Sequence, residues 1–306
     1  MNRSFAFKLA VTCALCLTVA TFKTTAHKRG QSVGNAKSPA NSNASAPLPF
    51  DPTEELTYEV LYTKLLLRSV NVAEISFASQ RDPHANDLSY AIIKAVDAKK
   101  PGDANFRFTM EMASKGIVPR LFGFRFHQRV ESLVDPAEFA VLRTTRLDEQ
   151  NERRRTSEAV FDKAAGKIVW TERNPKEPQS APRVVTLQFN HATQDIVSIF
   201  YFLRTQKLAP GLKLEVPLSD SGRTFRVPVT VFEGKRLKTA ALGEVSTVRV
   251  DVDVFGKERL LPGDGNLSIW FTDDARRIPV QARITSSMGT LDVKLKSRIL
   301  TLKNTP

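Results

Sequence analysis

His191 and Asp195 stand four residues apart at the start of an apolar helical pattern, the one spacing in this chain that suggests acid–base chemistry. A carboxylate beside an imidazole can orient a general base. A loop histidine just before a helix more commonly forms a local hydrogen bond. The other histidines are poorer candidates. His27 and His84 lie in polar, turn-rich stretches, and His127 shares a strand face with Arg125 and Arg129, a cationic setting unsuited to a neutral metal ligand. Asp273 and Asp274 are adjacent, so on a strand they would point to opposite faces. Paired acid–base work needs two carboxylates converging on one substrate, and a turn capped by its own aspartates fits better. There is no His-x-x-x-His, cysteine pair, calcium loop, glycine-rich phosphate loop or Gly-x-Ser-x-Gly elbow. No catalytic residue, metal or cofactor is therefore assigned, and a hydrolase is the least supported function.

Two other groups of residues suggest binding. Phe106, Phe108, Met110 and Met112 alternate along one segment, and Phe122, Phe124 and Phe126 along the next. Such faces form core in a filled sandwich and line an apolar ligand cavity in a barrel. Methionine suits an adaptable apolar site. The second group is basic: Arg153, Arg154 and Arg155 in a run, and Lys294, Lys296 and Arg298 along one face of the last predicted strand. Together they are candidates for contact with an anionic lipid or polymer.

Most of the elements that position these groups are strands. Leu56, Tyr58, Val60 and Tyr62 alternate with polar neighbours, as do Val248, Val250, Val252 and Val254, and Leu291, Val293 and Leu295. A period of two with one polar face marks half-buried antiparallel strands. The exception is about 193–207. There Ile196, Ile199, Phe200 and Leu203 have helical spacing, Thr193 is the expected N-cap, and Ala209-Pro210-Gly211 ends the run. This helix should pack on the sheet. Leu267–Thr272 and Ile278–Thr285 predict a hairpin across Asp273–Arg277, with Pro279 marking an edge or a non-bonded backbone position. Asn174–Pro182 reads as a long hairpin loop or a seam. The expected fold is mainly β: a large curved antiparallel sheet or barrel with one packed helix.

The N-terminus supplies an address. Arg3 and Lys8 precede an apolar run, Leu9–Phe22, which ends in small residues at Thr24-Thr25-Ala26. This is the layout of a cleaved signal peptide, and it predicts a periplasmic or secreted protein. The alternative, an N-terminal membrane anchor, needs a longer span of about 20 residues. Cys13 and Cys16, the two cysteines of the chain, lie inside the leader, so the mature chain would be thiol-free. Residues 27–50, rich in Ser, Asn, Ala and Pro, are expected to be a disordered linker, and 51–306 a single β-rich domain with no membrane-spanning segment. The net charge is +13. Arg3, Lys8 and Lys23 contribute three of these charges and 1–26 holds no acid, so cleavage leaves +10. In an exported protein that charge argues against nucleic acid as a partner; it solvates the outer faces of strands, or else meets anionic envelope components.

Three motifs carry a family resemblance: Leu-Thr-Tyr-Glu-Val-Leu-Tyr at 56–62, Asp195-Ile-Val-Ser-Ile-Phe-Tyr-Phe-Leu-Arg204 followed by Leu208-Ala-Pro-Gly211, and Leu267-Ser-Ile-Trp-Phe-Thr-Asp-Asp-Ala-Arg-Arg-Ile-Pro-Val280. From about Glu55 to Leu300 the chain resembles the bacterial exported family called domain of unknown function 3108. A glycine common in that family near the start of the second strand is replaced by Ser69-Val70-Asn71. The resemblance implies export and supplies no catalytic residues. A weaker, fold-level likeness is to periplasmic lipoprotein carriers, curved antiparallel sheets closed by helices. The sequence thus points to an envelope protein that binds an apolar or lipid-like ligand without chemistry; the alternative is an interaction or scaffold protein that uses its basic surface.

Overall fold

The computed structural model describes residues 48–82, 105–116, 123–189 and 192–300. The leader with both cysteines, most of the linker, His84, Phe122 and His191 lie outside the described residues. The strands are β1 (Glu54–Lys64), β2 (Leu67–Asp82), β3 (Asn105–Ser114), β4 (Phe126–Asp135), β5 (Ala140–Gln150), β6 (Arg153–Asp162), β7 (Lys167–Arg173) and β8 (Arg183–Gln188). After helix α1 (Ser198–Thr205) come β9 (Lys213–Asp220), β10 (Arg223–Glu233), β11 (Leu237–Thr239), β12 (Gly243–Val245), β13 (Thr247–Val252), β14 (Gly265–Thr272), β15 (Pro279–Ser286) and β16 (Gly289–Leu300).

Fourteen of these strands form one antiparallel sheet in the order β8-β7-β6-β5-β4-β3-β2-β1-β16-β15-β14-β13-β10-β9, while β11 and β12 pair as a separate hairpin. The expected mainly β fold with one helix is what the chain adopts. Alternation decides the faces: in β1, Leu56, Tyr58, Val60 and Tyr62 are all buried, and in β13 so are Val248, Val250 and Val252. Asn174–Pro182 is the loop of the β7–β8 hairpin.

The hydrogen-bonded ladder does not close on itself. Among the described residues no strand pairs β8 with β9; a short stitch joins the sheet back to itself instead. Thr193 O accepts from the Val141 amide of β5 (3.1 Å), the Gln194 amide donates to Pro217 O of β9 (2.8 Å), and Gln194 O accepts from the Ser219 amide (2.8 Å). The Gln194 side chain donates to Phe139 O at 2.6 Å. Rolling a wide sheet over a core follows from strand twist, and here β6–β8 run past the stitch as a flap. Trp170 of that flap packs where a side chain at Gly222 would go: a Cβ there would lie 3.0 Å from the indole, and φ is +72°.

The helix is shorter than expected, and its start differs. Thr193 serves in the stitch, and Asp195 caps the first turn. Asp195 Oδ1 accepts from the Val197 amide (3.0 Å) and the Ser198 amide (2.7 Å), and Ser198 Oγ accepts from the Asp195 amide (2.9 Å). This reciprocal arrangement satisfies the orphan donors of a helix start. Phe50, read from the sequence as the last linker residue, is core: its ring lies 5.5 Å from both Phe106 and Phe108 and 5.3 Å from Tyr201.

Pro279 is not on an edge strand, since β15 lies between β14 and β16. It opens the strand at a register shift, where a missing amide costs no ladder bond. A second shift, opposite Thr57 and Tyr58, matters more. Tyr58 pairs with Leu295, Thr57 with Ser297 and Leu56 with Arg298. The extra residue of this bulge turns Arg298 onto the same face as Leu56, inside the barrel. Lys294, Lys296 and Arg298 therefore do not share a face as strict alternation implies. Inside, Arg298 Nε meets Glu54 Oε1 at 2.8 Å, and Arg204 Nη1 of the helix meets Glu54 Oε2 at 2.6 Å. Arg204 also donates to Pro49 O (2.8 Å) and Arg276 O (3.1 Å).

Glu54→Gln should leave the fully buried Arg204 guanidinium without its counter-ion. Breaking such a pair costs roughly 3–5 kcal/mol, measurable by chemical denaturation; Arg298→Gln, at a side chain 16% exposed, should cost less. On the outer face, His127 sits between Glu111 (Nε2, 2.8 Å) and Glu149 (Nδ1, 3.0 Å). The hydrogen bond to Glu149, aided by Glu111 and opposed by partial desolvation, raises the imidazole pKa above its ordinary 6.5. Its stabilising contribution is therefore complete below about pH 6.5 and lost as pH rises through the folded-state value. Imidazole NMR titration should show the raised midpoint, and His127→Gln should flatten stability against pH in that window. A midpoint at or below 6.5 contradicts the clamp.

Candidate functional site

Inside the rolled sheet, between the wall of β1–β3 and the wall of β14–β16, lies a cavity of about 130 Å³ with a mostly apolar lining. Leu56, Tyr58 and Val60 of β1 contribute, with Ile75 and Phe77 of β2, Met110 and Met112 of β3, Ile269 of β14, Ala282 and Ile284 of β15, and Leu291 and Val293 of β16. These residues alternate along their strands, so each strand presents every second side chain. The segment entering α1 and the helix itself supply Ile196, Phe200, Tyr201 and Arg204. The helix lies across the cavity because its apolar side faces inward and Arg204 is held by Glu54 and two backbone carbonyls.

The aromatic and methionine candidates divide among three places. Met110 and Met112 line the cavity. Phe106 and Phe108 are packed core beside it; Phe108 stacks on Tyr201 at 3.8 Å, and both phenylalanines touch Phe50. Phe124 and Phe126 do not line the cavity; they pack in the adjoining buried cluster with Tyr62 and Val72, which meets the cavity wall through Val60, Met112 and Leu291. Sequence reasoning missed Ile75, Phe77, Ile269 and Phe200. Alternation in β2 marks the first two as inward, but their position against the cavity depends on which strands become neighbours.

The cavity offers little polar chemistry. Tyr58 donates its hydroxyl to Pro279 O at 2.7 Å. Burial pushes the phenols of Tyr58 and Tyr201 well above the usual tyrosine range, so both remain neutral. Arg204 has each guanidinium nitrogen engaged. Among the described residues no group of three His, Cys, Asp or Glu side chains is placed to hold a metal.

The polar interior lies on another wall. Asp195 Oδ2 accepts from Ser132 Oγ of β4 (2.6 Å) and Thr144 Oγ1 of β5 (2.5 Å). With its two amide bonds, this carboxylate has four donors. A carboxylate so saturated is a structural hub tying the helix start to two strands, not a partner waiting to orient a histidine. Nearby, Arg146 of β5 forms a buried ion pair with Asp220 of β9 and donates to Ser221 Oγ at 3.2 Å. Burial raises the Asp220 pKa, and Arg146 opposes that shift. Asp274 accepts from Thr272 Oγ1 and the Arg276 and Arg277 amides, the self-capped turn expected of that pair.

The basic candidates do not form one patch. Arg154 faces outward with Glu149 (3.3 Å), whereas Arg153 approaches the buried Asp148 (3.7 Å). Arg155 pairs across the ladder with Asp148, because adjacent strand residues face opposite ways. Lys296 is paired with Glu74 at 3.0 Å, Lys294 is exposed, and Arg298 is inside with Glu54. A larger outer groove of about 490 Å³ crosses β4–β7. Its Arg129 and Arg143 are paired with Glu131 and Glu158, which neutralises much of its charge. No helix among the described residues is long and apolar enough to cross a membrane.

Comparison with known proteins places the fold. A crystal structure titled as a β-barrel-like protein of domain of unknown function DUF1849, from Brucella abortus, matches with a TM-score of 0.53 at 9% identity, covering 81% of this chain and 98% of that one. The likeness is one of fold. No curated protein matches the chain. The family described as "Protein of unknown function (DUF3108)" matches residues 86–296, a span that begins after β2 and so excludes the 56–62 motif. With most of the chain inside that match, from β3 into β16, this protein belongs to the DUF3108 family.

Proposed function

We propose that the protein is a non-catalytic binder of an apolar ligand, held in the cavity beneath α1. The supporting observation is the cavity itself: about 130 Å³ bounded mostly by aliphatic, aromatic and thioether groups, with Gln128, Gln281 and the ion-paired Arg204 as its polar members. Protein interiors seldom leave such a gap, because unfilled volume forfeits packing energy. A hydrocarbon-lined space of about 150 Å³ in another protein stays dry and accepts benzene. This cavity therefore suits one ring or a short alkyl segment, with each buried methylene contributing about 0.8 kcal/mol. Two methionines in the wall suit ligands of varied shape.

The chain holds four methionines, Met1, Met110, Met112 and Met288, which makes a direct test practical. With methyl-labelled methionine, benzene titration should shift the Met110 and Met112 signals and leave Met288 in place. Ala282→Leu should fill the space, abolish those shifts and leave the fold intact. Saturating benzene without movement of Met110 or Met112 sinks the proposal.

We further infer that the protein acts in the cell envelope, on the support of the Arg3–Ala26 leader pattern and the net charge of +13. N-terminal sequencing of material from the exported fraction should begin close to His27. Recovery of the intact chain from the cytosol overturns export.

A further inference from the structure

The β1–β2 hairpin ends in two leucines that face water. Leu65 is 88% exposed and Leu66 98%. Lys64 pairs with Leu67 across the ladder, so Leu65-Leu66 forms the whole connection. Two-residue hairpin loops favour Asn-Gly or Gly-X, because the backbone must enter the positive-φ region. Leu65 does so at φ +52°, although leucine is ill-suited to that conformation. Neither turn geometry nor burial accounts for leucine at either position. Exposed cations flank the pair, Lys64 on one side and Arg68 on the other. Among the described residues neither has a carboxylate partner.

The tip rests on a firm base. Tyr62 Oη donates to Met288 O (2.6 Å), Lys64 Nζ to Ser287 O (3.1 Å) and the Ser69 amide to Thr63 Oγ1 (3.0 Å). These bonds hold the hairpin against the β15–β16 turn, so the leucines are presented without further ordering. β1 starts at Glu54 beside the helix and ends at this tip, so the tip lies at the barrel end remote from the Glu54 ion pairs.

We propose that Leu65 and Leu66 insert into the interface of an anionic lipid bilayer, with Lys64 and Arg68 contacting headgroups. Apolar side chains rimmed by cations match a surface that is oily within and negative above. A specific protein interface buries about 800 Å² per partner, far more than a two-residue tip provides, whereas a bilayer demands no complementary shape. The site is independent of the cavity and does not rest on it.

The test places a reporter at the tip. Trp170 and Trp270 are both buried, so in Leu66→Trp a change in emission on adding vesicles reports the tip. The full-length chain is mixed with phosphatidylcholine vesicles, with and without phosphatidylglycerol. Emission from the introduced indole should shift to the blue with the anionic vesicles and much less with the neutral ones. In the native chain, Leu65→Ser/Leu66→Ser should weaken the tip-dependent part of vesicle sedimentation at least tenfold, and Lys64→Gln/Arg68→Gln should remove its salt dependence. Circular dichroism confirms that these surface variants fold. Unshifted emission from the introduced indole overturns the proposal; if the protein sediments all the same, it attaches through another segment. A concentration-dependent dimer that the serine variant abolishes without any vesicle effect overturns it too.

Discussion

A single carboxylate governs how this rolled sheet is filled. Glu54, at the first position of β1, is fully buried and ion-paired to Arg204 of the helix and Arg298 of the last strand. Removing three charged groups from water is costly, and only close contacts with satisfied hydrogen bonds offset that cost. Arg204 meets this condition through Glu54, Pro49 O and Arg276 O, while the guanidinium also lies 5.6 Å from the Phe50 ring and 5.8 Å from that of Tyr201. The helix is thereby fixed in one orientation across the interior. Phe200 and Tyr201 are carried to the cavity wall as a consequence. The bulge opposite Thr57 and Tyr58 is part of the same device, since without it Arg298 would face solvent.

The second constraint is closure. Fourteen strands leave two edges, and free edges invite pairing with other chains. The Thr193–Gln194 stitch satisfies part of β9 and the start of β5 from one short segment, and Asp195 immediately afterwards bonds to both Ser132 and Thr144. One short stretch thus joins the sheet to itself, caps the helix and ties it to the wall. The Arg146–Asp220 pair reinforces the junction from within. These groups form the polar wall of the barrel and leave the opposite wall, β1–β3 with β14–β16, free of charge where it meets the cavity. The one charge that reaches the cavity, Arg204, is matched by Glu54 and two backbone carbonyls, so the lining stays largely apolar.

Much of the architecture was legible because the period-two signal is local. Leu56 to Tyr62 and Val248 to Val252 declare their buried faces without reference to any other segment. What was not legible depended on a single extra residue or on distant partners. A strand bulge at 296–297 is invisible to alternation, so Arg298 read as a surface cation. The run Arg153–Arg155 read as one patch, yet pleating divides it between two faces. Asp195 was legible as an acidic residue at a helix start, but its side-chain partners Ser132 and Thr144 lie far away in the chain and leave no local signal. Phe106 and Phe108 read as equals of Met110 and Met112, but the helix and Phe50 pack over one end of that strand and leave the other beside the cavity.

The distribution of titratable groups bears on what such a molecule is built to do. A general base needs a lone pair with nothing better to bind, and a nucleophile needs a base beside it. Asp195 has both oxygens saturated by four donors, Asp220 faces Arg146, Glu54 faces two arginines, and His127 is clamped by two carboxylates. Each of these groups fixes a relation between elements: helix to strand, β5 to β9, β3 to β5. Electrostatics here hold the container, and the space they hold open is hydrocarbon-lined. The proposed binding of apolar groups would rest on this division, because the anchoring charge of the helix, Arg204, is fully matched where it meets the cavity and leaves the space beside it mostly hydrocarbon.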